Sequence, residues 1–209
     1  MEVNDNQAIG TEVAILRAAE AEFLEKGFAG ARTVAIAEKA GVTHALLHYY
    51  FRTKEQLFER ILKEKMELVS SSVIRIFGDA TLPLAERIES GIRSHFDLLA
   101  TMPGLPRFFI NELHAADESR MVLIRQAVAE RLGGLLEGLQ RDIDDAAAKG
   151  TCAPVSAVML VQDILSLNMF AFLSLPMLEV LPGATVSREE YLSRRKEENV
   201  TLILKRLFR

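Results

Sequence analysis

Positive charge and hydrogen-bonding side chains are concentrated in the segment 39–54, which contains no aspartate or glutamate. The side chains of this kind are Lys39, His44, His48, Tyr49, Tyr50, Arg52 and Lys54. Lysine and arginine bind phosphates, and histidine and tyrosine add further hydrogen-bonding groups to the same stretch. The segment therefore predicts a surface for an anionic partner such as a nucleic acid.

A metal site is the alternative use of this segment, because His44 and His48 are four residues apart on one helix face. Zinc, however, takes three or four protein ligands, and the sequence places no third ligand and no cysteine beside the pair. We therefore expect neither a metal nor a cofactor. Since histidine changes charge near pH 6.5, the pair leads us to expect tighter binding of the partner in mild acid.

Short helices are predicted to carry this segment. Apolar residues recur at helical spacing up to Gly27, and again over about 33–40. In the turn Ala40-Gly41-Val42-Thr43, the glycine supplies a positive φ and the threonine can cap a third helix to about Tyr50. Two helices joined by such a turn predict a helix-turn-helix, whose second helix enters the major groove of DNA.

The rest of the chain is predicted to be helical as well, since no strand pattern stands out. Thr53 and Gln56 form a capping box for a helix that continues to about Phe77. Later helices are predicted over about 84–100, 106–114, 117–149 and 154–175, and from Ser187 to the C-terminus. The expected fold class is all-α, with about nine helices.

The segment Ile15–Leu62 resembles the DNA-binding domain of the TetR/AcrR family of bacterial transcriptional regulators. The likeness is carried by the stretches AILRAAEAEFLEKGF and IAEKAGVTHALLHYYFRTKEQLF. It implies a three-helix helix-turn-helix domain over residues 1–53 and a larger helical domain over 54–209 for ligand binding and dimerisation. The helix over 54–77 would connect the two domains.

The same resemblance implies which residues contact DNA. These are Arg32, Thr43, His44, Ala45, His48, Tyr49, Tyr50 and Lys54. The first three residues of the segment 43–50 would open the recognition helix, the last three would pack on the groove, and Lys54 would meet a phosphate. Arg32 stands where the family commonly has a hydroxyl residue, and we expect it to take over that phosphate contact.

A second candidate site comes from the later helices, which could enclose a cavity. Its expected lining residues are His95, Phe96, Phe108, Phe109, Asn111, Met121, Gln162, Met169 and Phe170. Methionine and phenylalanine with a few polar groups suit a small hydrophobic or amphipathic effector, while plain core packing is the alternative for each residue. By resemblance, an effector would move the helix after Pro103 and the connecting helix, and so spread the recognition helices.

Composition excludes several other classes of protein. Lys+Arg 25 against Asp+Glu 29 leaves a net charge of −4, so the positive charge is local. The single cysteine, Cys152, predicts a reducing compartment, and we expect the cytoplasm. The apolar stretch 155–178 contains Gln162, Asp163 and Asn168, so it predicts a buried helix rather than a membrane span.

Together these features predict a sequence-specific DNA-binding regulator, namely a ligand-responsive repressor that acts as a homodimer on a palindromic operator. By resemblance, the last two long helices of each subunit, over 154–175 and from Ser187 onward, would form the dimer interface. Control by a protein partner instead of a small molecule remains open. An all-helical enzyme that uses the cavity would need paired Glu-x-x-His motifs, which the sequence lacks, so we expect no enzyme.

Overall fold

The computed structural model describes residues 2–79, 81–178, 180–181 and 186–208, and all regular structure in these ranges is helical. The helices are α1 Glu2–Gly30, α2 Thr33–Ala40, α3 His44–Tyr50, α4 Lys54–Phe77, α5 Leu84–Thr101, α6 Leu105–Ala115, α7 Glu118–Ala148, α8 Ala157–Leu173, α9 Leu175–Leu178 and α10 Arg188–Leu207. The predicted all-α fold class is confirmed. Among the described helices, none has the length and apolarity needed to cross a bilayer.

Local capping explains why α4, α7 and α10 begin where the sequence predicts. The side chains of three cap residues each accept a hydrogen bond from the amide three residues later, at 2.9–3.1 Å. The pairs are Thr53 with Gln56, Asp117 with Arg120, and Ser187 with Glu190. Such a bond satisfies one of the amides that a helix start leaves unpaired.

Two helix boundaries differ from the prediction. At Gly27 the backbone takes φ 67° and ψ 178°, which breaks α1 as predicted, but the helix resumes for one more turn to Gly30. The predicted helix over 154–175 begins only at Ala157, because the side chain of Gln140 on α7 caps its amide from outside at 2.7 Å. Its end is followed by the separate α9, whose first turn contains Pro176.

The helices fall into two compact units. The first comprises Met1–Glu67 and Arg107–Arg125, and the second comprises Leu68–Pro106 and Gln126–Arg209. Helices α4 and α7 therefore contribute residues to both. The predicted boundary between a DNA-binding part and a ligand-binding part, at residues 53 and 54, concerns function and stays a prediction. The packing differs from that boundary, because most of α6 belongs to the first unit.

The core of the first unit is built around Phe58 of α4, which is fully buried. Its ring contacts Phe23 and Phe28 of α1 at 5.0 Å between centroids and Phe108 of α6 at 5.8 Å. Burying one such ring stabilises the fold by about 2 kcal/mol. The aromatic contacts therefore hold α1, α4 and α6 together.

The core of the second unit joins α4, α5, α7, α8 and α10 through buried aliphatic side chains. A polar chain is buried beside it. Asn168 of α8 donates to the carbonyl oxygen of Ile92 at 2.9 Å and lies 3.1 Å from Nδ1 of His95, and Asn199 of α10 donates to Asn168 at 2.9 Å. These hydrogen bonds fix the positions of α5, α8 and α10 relative to one another.

Candidate nucleic-acid interface

The turn between α2 and α3 has the geometry of a Schellman motif. Gly41 adopts φ 68° and ψ 28°, its amide donates to Glu38 O at 3.1 Å, and the amide of Val42 donates to Ala37 O at 3.0 Å. Thr43 then caps α3, accepting from the amide of Leu46 at 3.2 Å. Because only glycine adopts this φ without strain, Gly41 sets the angle at which α3 leaves α2.

Helix α3 is anchored by one residue and presents most of its surface to solvent. Leu47 is fully buried, whereas His44, Ala45, Leu46, His48 and Tyr49 are exposed, Tyr49 by 79%. The Tyr49 and Tyr50 rings meet edge to face, 5.6 Å between centroids. The predicted DNA contacts on α3 therefore share one helix, and all except the partly buried Tyr50 are open to a partner.

A concave groove brings Arg32 and Lys54 together, although they are far apart in the sequence. It is lined by Ala31, Arg32, Thr33, Val34, Ala35, Glu38 and Lys54. Three of these residues form the first turn of α2, where no side chain caps the helix and where amides lack intrahelical partners. Helix amides, an arginine and a lysine around one groove form a site suited to a phosphate.

Two histidines on α3 are joined to each other and to α2. Nε2 of His44 lies 3.2 Å from Nε2 of His48 and 3.0 Å from the Thr33 hydroxyl oxygen. Nδ1 of His48 lies 3.1 Å from the carbonyl oxygen of Arg52. In the described part of the chain, no three histidine, cysteine or acidic side chains converge as a metal site would require.

Lys39 differs from the other cations of the segment because its charge is already paired. Its Nζ lies 2.5 Å from Glu22 of α1, which is fully buried, and 3.7 Å from Glu25. Burial works to raise the pKa of Glu22, but hydrogen bonds from Lys26 and Lys39 outweigh it and lower that pKa. The bond with Glu22 raises the pKa of Lys39. Lys39 therefore holds α2 against α1 and contributes little free charge to the groove.

Sequence reasoning missed three residues that support Lys54. The Lys54 ammonium lies over the Phe28 ring, 4.6 Å from its centroid, and the guanidinium of Arg120 lies 4.8 Å from the same centroid. Buried Glu112 accepts from the Phe28 amide at 3.2 Å and pairs with Arg120 at 3.4 Å. No local signal marks these contacts, since Phe28 and Glu112 are 84 residues apart.

The predicted effector residues are divided between the two units. Phe108, Phe109, Asn111 and Met121 belong to the first unit, and His95, Phe96, Gln162, Met169 and Phe170 belong to the second. The rings of Phe96 and Phe108 are buried in the cores, whereas Asn111, Gln162 and Phe170 are exposed. Burial lowers the pKa of His95 to about 4, so its imidazole is neutral near pH 7. A role in effector binding stays a prediction for all nine.

A helix-turn-helix whose second helix is exposed, beside a groove lined by Arg32 and Lys54, is the geometry of a DNA-binding protein of the helix-turn-helix class. Residues 15–61 match the family described as "Bacterial regulatory proteins, tetR family". The chain is 29% identical to the HTH-type transcriptional regulator RutR of Escherichia coli K12 over 191 residues, which cover 91% of this chain and 87% of RutR. Residues 15–61 therefore form a DNA-binding segment of the tetR family type, and most of the chain is similar to an HTH-type transcriptional regulator.

Solved structures share the whole fold. A TetR family transcription regulator from Marinobacter aquaeolei VT8 is 19% identical, with a TM-score of 0.69 over 100% of this chain and 99% of that one. The regulator FadR from Bacillus subtilis, in complex with stearoyl-CoA, is 20% identical, with a TM-score of 0.65 over 93% and 98% of the two chains. At these identities the likeness concerns the fold.

Proposed function

We propose that this regulator is a ligand-responsive repressor, not an enzyme, that binds a palindromic operator as a homodimer. The observation that carries the proposal is the groove at the start of α2, where Arg32 and Lys54 lie together beside the exposed face of α3. Phosphate contacts in the groove would fix the position of the protein on DNA, and side chains of α3 would read the bases.

The dimer is supported by the outer face of α8. Met159 and Phe170 are eleven residues apart, which is three helical turns, and their side chains are 50% and 57% exposed. On α10, Leu202 is 44% exposed. Apolar side chains aligned on one helix face favour a protein interface over solvent.

A dimer also follows from what operator recognition requires. One helix-turn-helix offers a small interface, and two recognition helices spaced by about 34–36 Å, or a multiple, would read two half-sites of a palindrome. We therefore expect the pair of subunits to be the form that binds DNA.

Control by an effector is supported by the bonds that tie α6 to the DNA-binding helices within the first unit. Glu112 holds the Phe28 amide, and Arg107 donates to the carbonyl oxygen of Glu25 at 3.2 Å. A shift of α6 would therefore displace the end of α1 and, through Phe28, the position of Lys54. An effector can shift the protein toward the displaced state only by as much as it binds that state more tightly than the other.

The class of effector is proposed to be small and hydrophobic or amphipathic. The residues expected to bind it are rich in phenylalanine and methionine, and the fold is shared with Bacillus subtilis FadR, whose structure contains stearoyl-CoA. The cellular site of action is proposed to be the cytoplasm, where a regulator meets its operator.

The deciding experiment is selection of bound sequences from random duplex DNA with the full chain. The proposal expects a palindrome to be enriched, and expects the enrichment to be lost in Tyr49→Ala and Lys54→Ala. Lys63→Ala, at an exposed position further along α4, is the matched control and should select the same palindrome. Absence of any enriched sequence would contradict the proposal.

A further inference from the structure

The contacts of His48 determine which of its ring nitrogens carries a proton. Nδ1 lies 3.1 Å from the carbonyl oxygen of Arg52, and a carbonyl oxygen can only accept a hydrogen bond. His48 Nδ1 is therefore the donor. In a neutral imidazole the other nitrogen, Nε2, then has a lone pair, and this lone pair faces His44.

The contact between the rings then determines the protonation of His44. The two Nε2 atoms are 3.2 Å apart, and two lone pairs facing each other at this distance would repel. In the neutral pair His44 Nε2 therefore carries the proton that joins the rings, and His44 Nδ1 has the lone pair. No hydrogen bond to His44 Nδ1 exists within the described part of the chain, and the side chain is exposed.

Uptake of one proton changes this outward-facing nitrogen. A single hydrogen is sufficient between the two Nε2 atoms, so the added proton resides on His44 Nδ1, whichever ring is written as the cation. His44 Nδ1 thereby changes from a hydrogen-bond acceptor to a donor. A second proton would place N–H groups on both Nε2 atoms, 3.2 Å apart, so the pair holds only one without opening.

None of the charged side chains near the pair that the structure describes is bonded to either imidazole ring. Those on the flanking parts of α2 and α4 are Arg32, Glu38, Lys39, Lys54 and Glu55, and Arg52 lies between α3 and α4. Within the described residues, neither histidine forms an ion pair with a carboxylate, and Lys39 is paired with Glu22. Among the residues that the structure describes, Thr33, which is uncharged, is the only side chain besides the partner ring that bonds to the pair.

We propose that His44 Nδ1 determines base specificity and that its preference depends on pH. As an acceptor it favours the exocyclic amino group of adenine or cytosine, and as a donor it favours guanine or thymine, whose major-groove edges carry acceptors and no amino group. The inference rests on the proposed function, because it requires α3 to lie in the major groove. It concerns the preference among bases at one position of each half-site. A general gain in affinity for phosphate at low pH strengthens binding to every duplex equally, so it does not change the ratio of affinities for two duplexes.

The test is selection from random DNA with the full chain at pH 5.5 and pH 8.0. One symmetric position in the enriched palindrome should change from adenine or cytosine at pH 8.0 to guanine or thymine at pH 5.5. The relative affinities of the two duplexes should shift by roughly 3- to 10-fold, the range expected for one hydrogen bond. In His44→Gln, which has no imidazole at this position, the preferred base should be the same at both pH values, whereas His114→Gln, at an exposed histidine on α6, should retain the change.

The outcomes separate the inference from the function on which it rests. The same base preference at both pH values, with binding intact, overturns the inference and leaves the proposed function in place. Failure to enrich any sequence at either pH overturns both. A measurement that needs no variant is ¹⁵N NMR of the imidazoles at pH 8.0, which should show His44 protonated at Nε2 and His48 at Nδ1. Any other pair of tautomers overturns the inference.

Discussion

The carboxylate of Glu112, on α6, accepts a hydrogen bond of 3.2 Å from the backbone amide of Phe28, 84 residues earlier in the chain. The amide follows Gly27, where α1 breaks, and the Phe28 ring lies under the Lys54 ammonium. A buried side chain of α6 thus positions the turn on which a predicted phosphate-binding residue rests.

Removing this carboxylate should loosen the turn. We expect Glu112→Ala to lower the free energy of unfolding by about 1–3 kcal/mol, because the amide loses its acceptor and Arg120 loses one of its two carboxylate partners. Urea denaturation measures the loss, and hydrogen exchange of the Phe28 amide should accelerate. Asn111→Ala, at an exposed position one residue earlier, is the control. Equal stability of the two variants would show that the bond contributes nothing.

Lys54 and Lys39 should behave differently on DNA, although both lie in the same basic segment. Lys54→Gln should reduce the slope of log affinity against log salt concentration by about 0.9 for each phosphate that the protein no longer neutralises, or about 1.8 per dimer. Lys39→Gln should leave this slope unchanged, since Lys39 is paired with Glu22. Binding titrations over a series of salt concentrations measure both slopes. Identical slopes for the two variants would refute the distinction.

The dimer interface proposed on α8 can be tested with one charge. Phe170→Glu should convert the dimer to a monomer, because a carboxylate would be buried without a partner in the interface. Sedimentation equilibrium gives the mass in solution. Val180→Glu, at a side chain that is 77% exposed outside α8, is the control and should remain dimeric. A dimeric Phe170→Glu protein would place the interface elsewhere.

His95 should make the stability of the fold dependent on pH. Burial lowers the pKa of His95 to about 4 from its ordinary 6.5, so below pH 6.5 the unfolded chain binds the proton more readily than the folded one. Stability from this group is therefore complete above about pH 6.5 and declines as the pH falls toward 4. The full loss is about 3 kcal/mol, at 1.36 kcal/mol for each unit of pKa.

The variant His95→Asn isolates this contribution, because its side-chain oxygen can still accept from Asn168 without titrating. Urea midpoints measured from pH 8 to pH 4 should fall less steeply in His95→Asn than in the unaltered protein. His114→Gln, at an exposed site, should leave the dependence as it was. Parallel curves for all three proteins would rule out this role of His95.

The sequence by itself determined where the capped helices begin and end, and that the segment 39–54 carries a basic surface. Thr43, Thr53 and Ser187 cap helices through amides only three residues away, and Gly41 ends α2 with its own backbone. Signals of this kind need no knowledge of packing, because both partners stand side by side in the chain. The motif around Gly41 was likewise sufficient to predict the family.

Only the tertiary structure decided what each charged residue does. Arg32 and Lys54 share a groove because α2 and α4 approach each other there, and Lys39 is paired because Glu22 is buried against it. The capping of Ala157 by Gln140 depends in the same way on packing, in this case of α7 against α8. An interaction between distant residues forms only when their helices are packed, and residue types alone do not specify which faces meet.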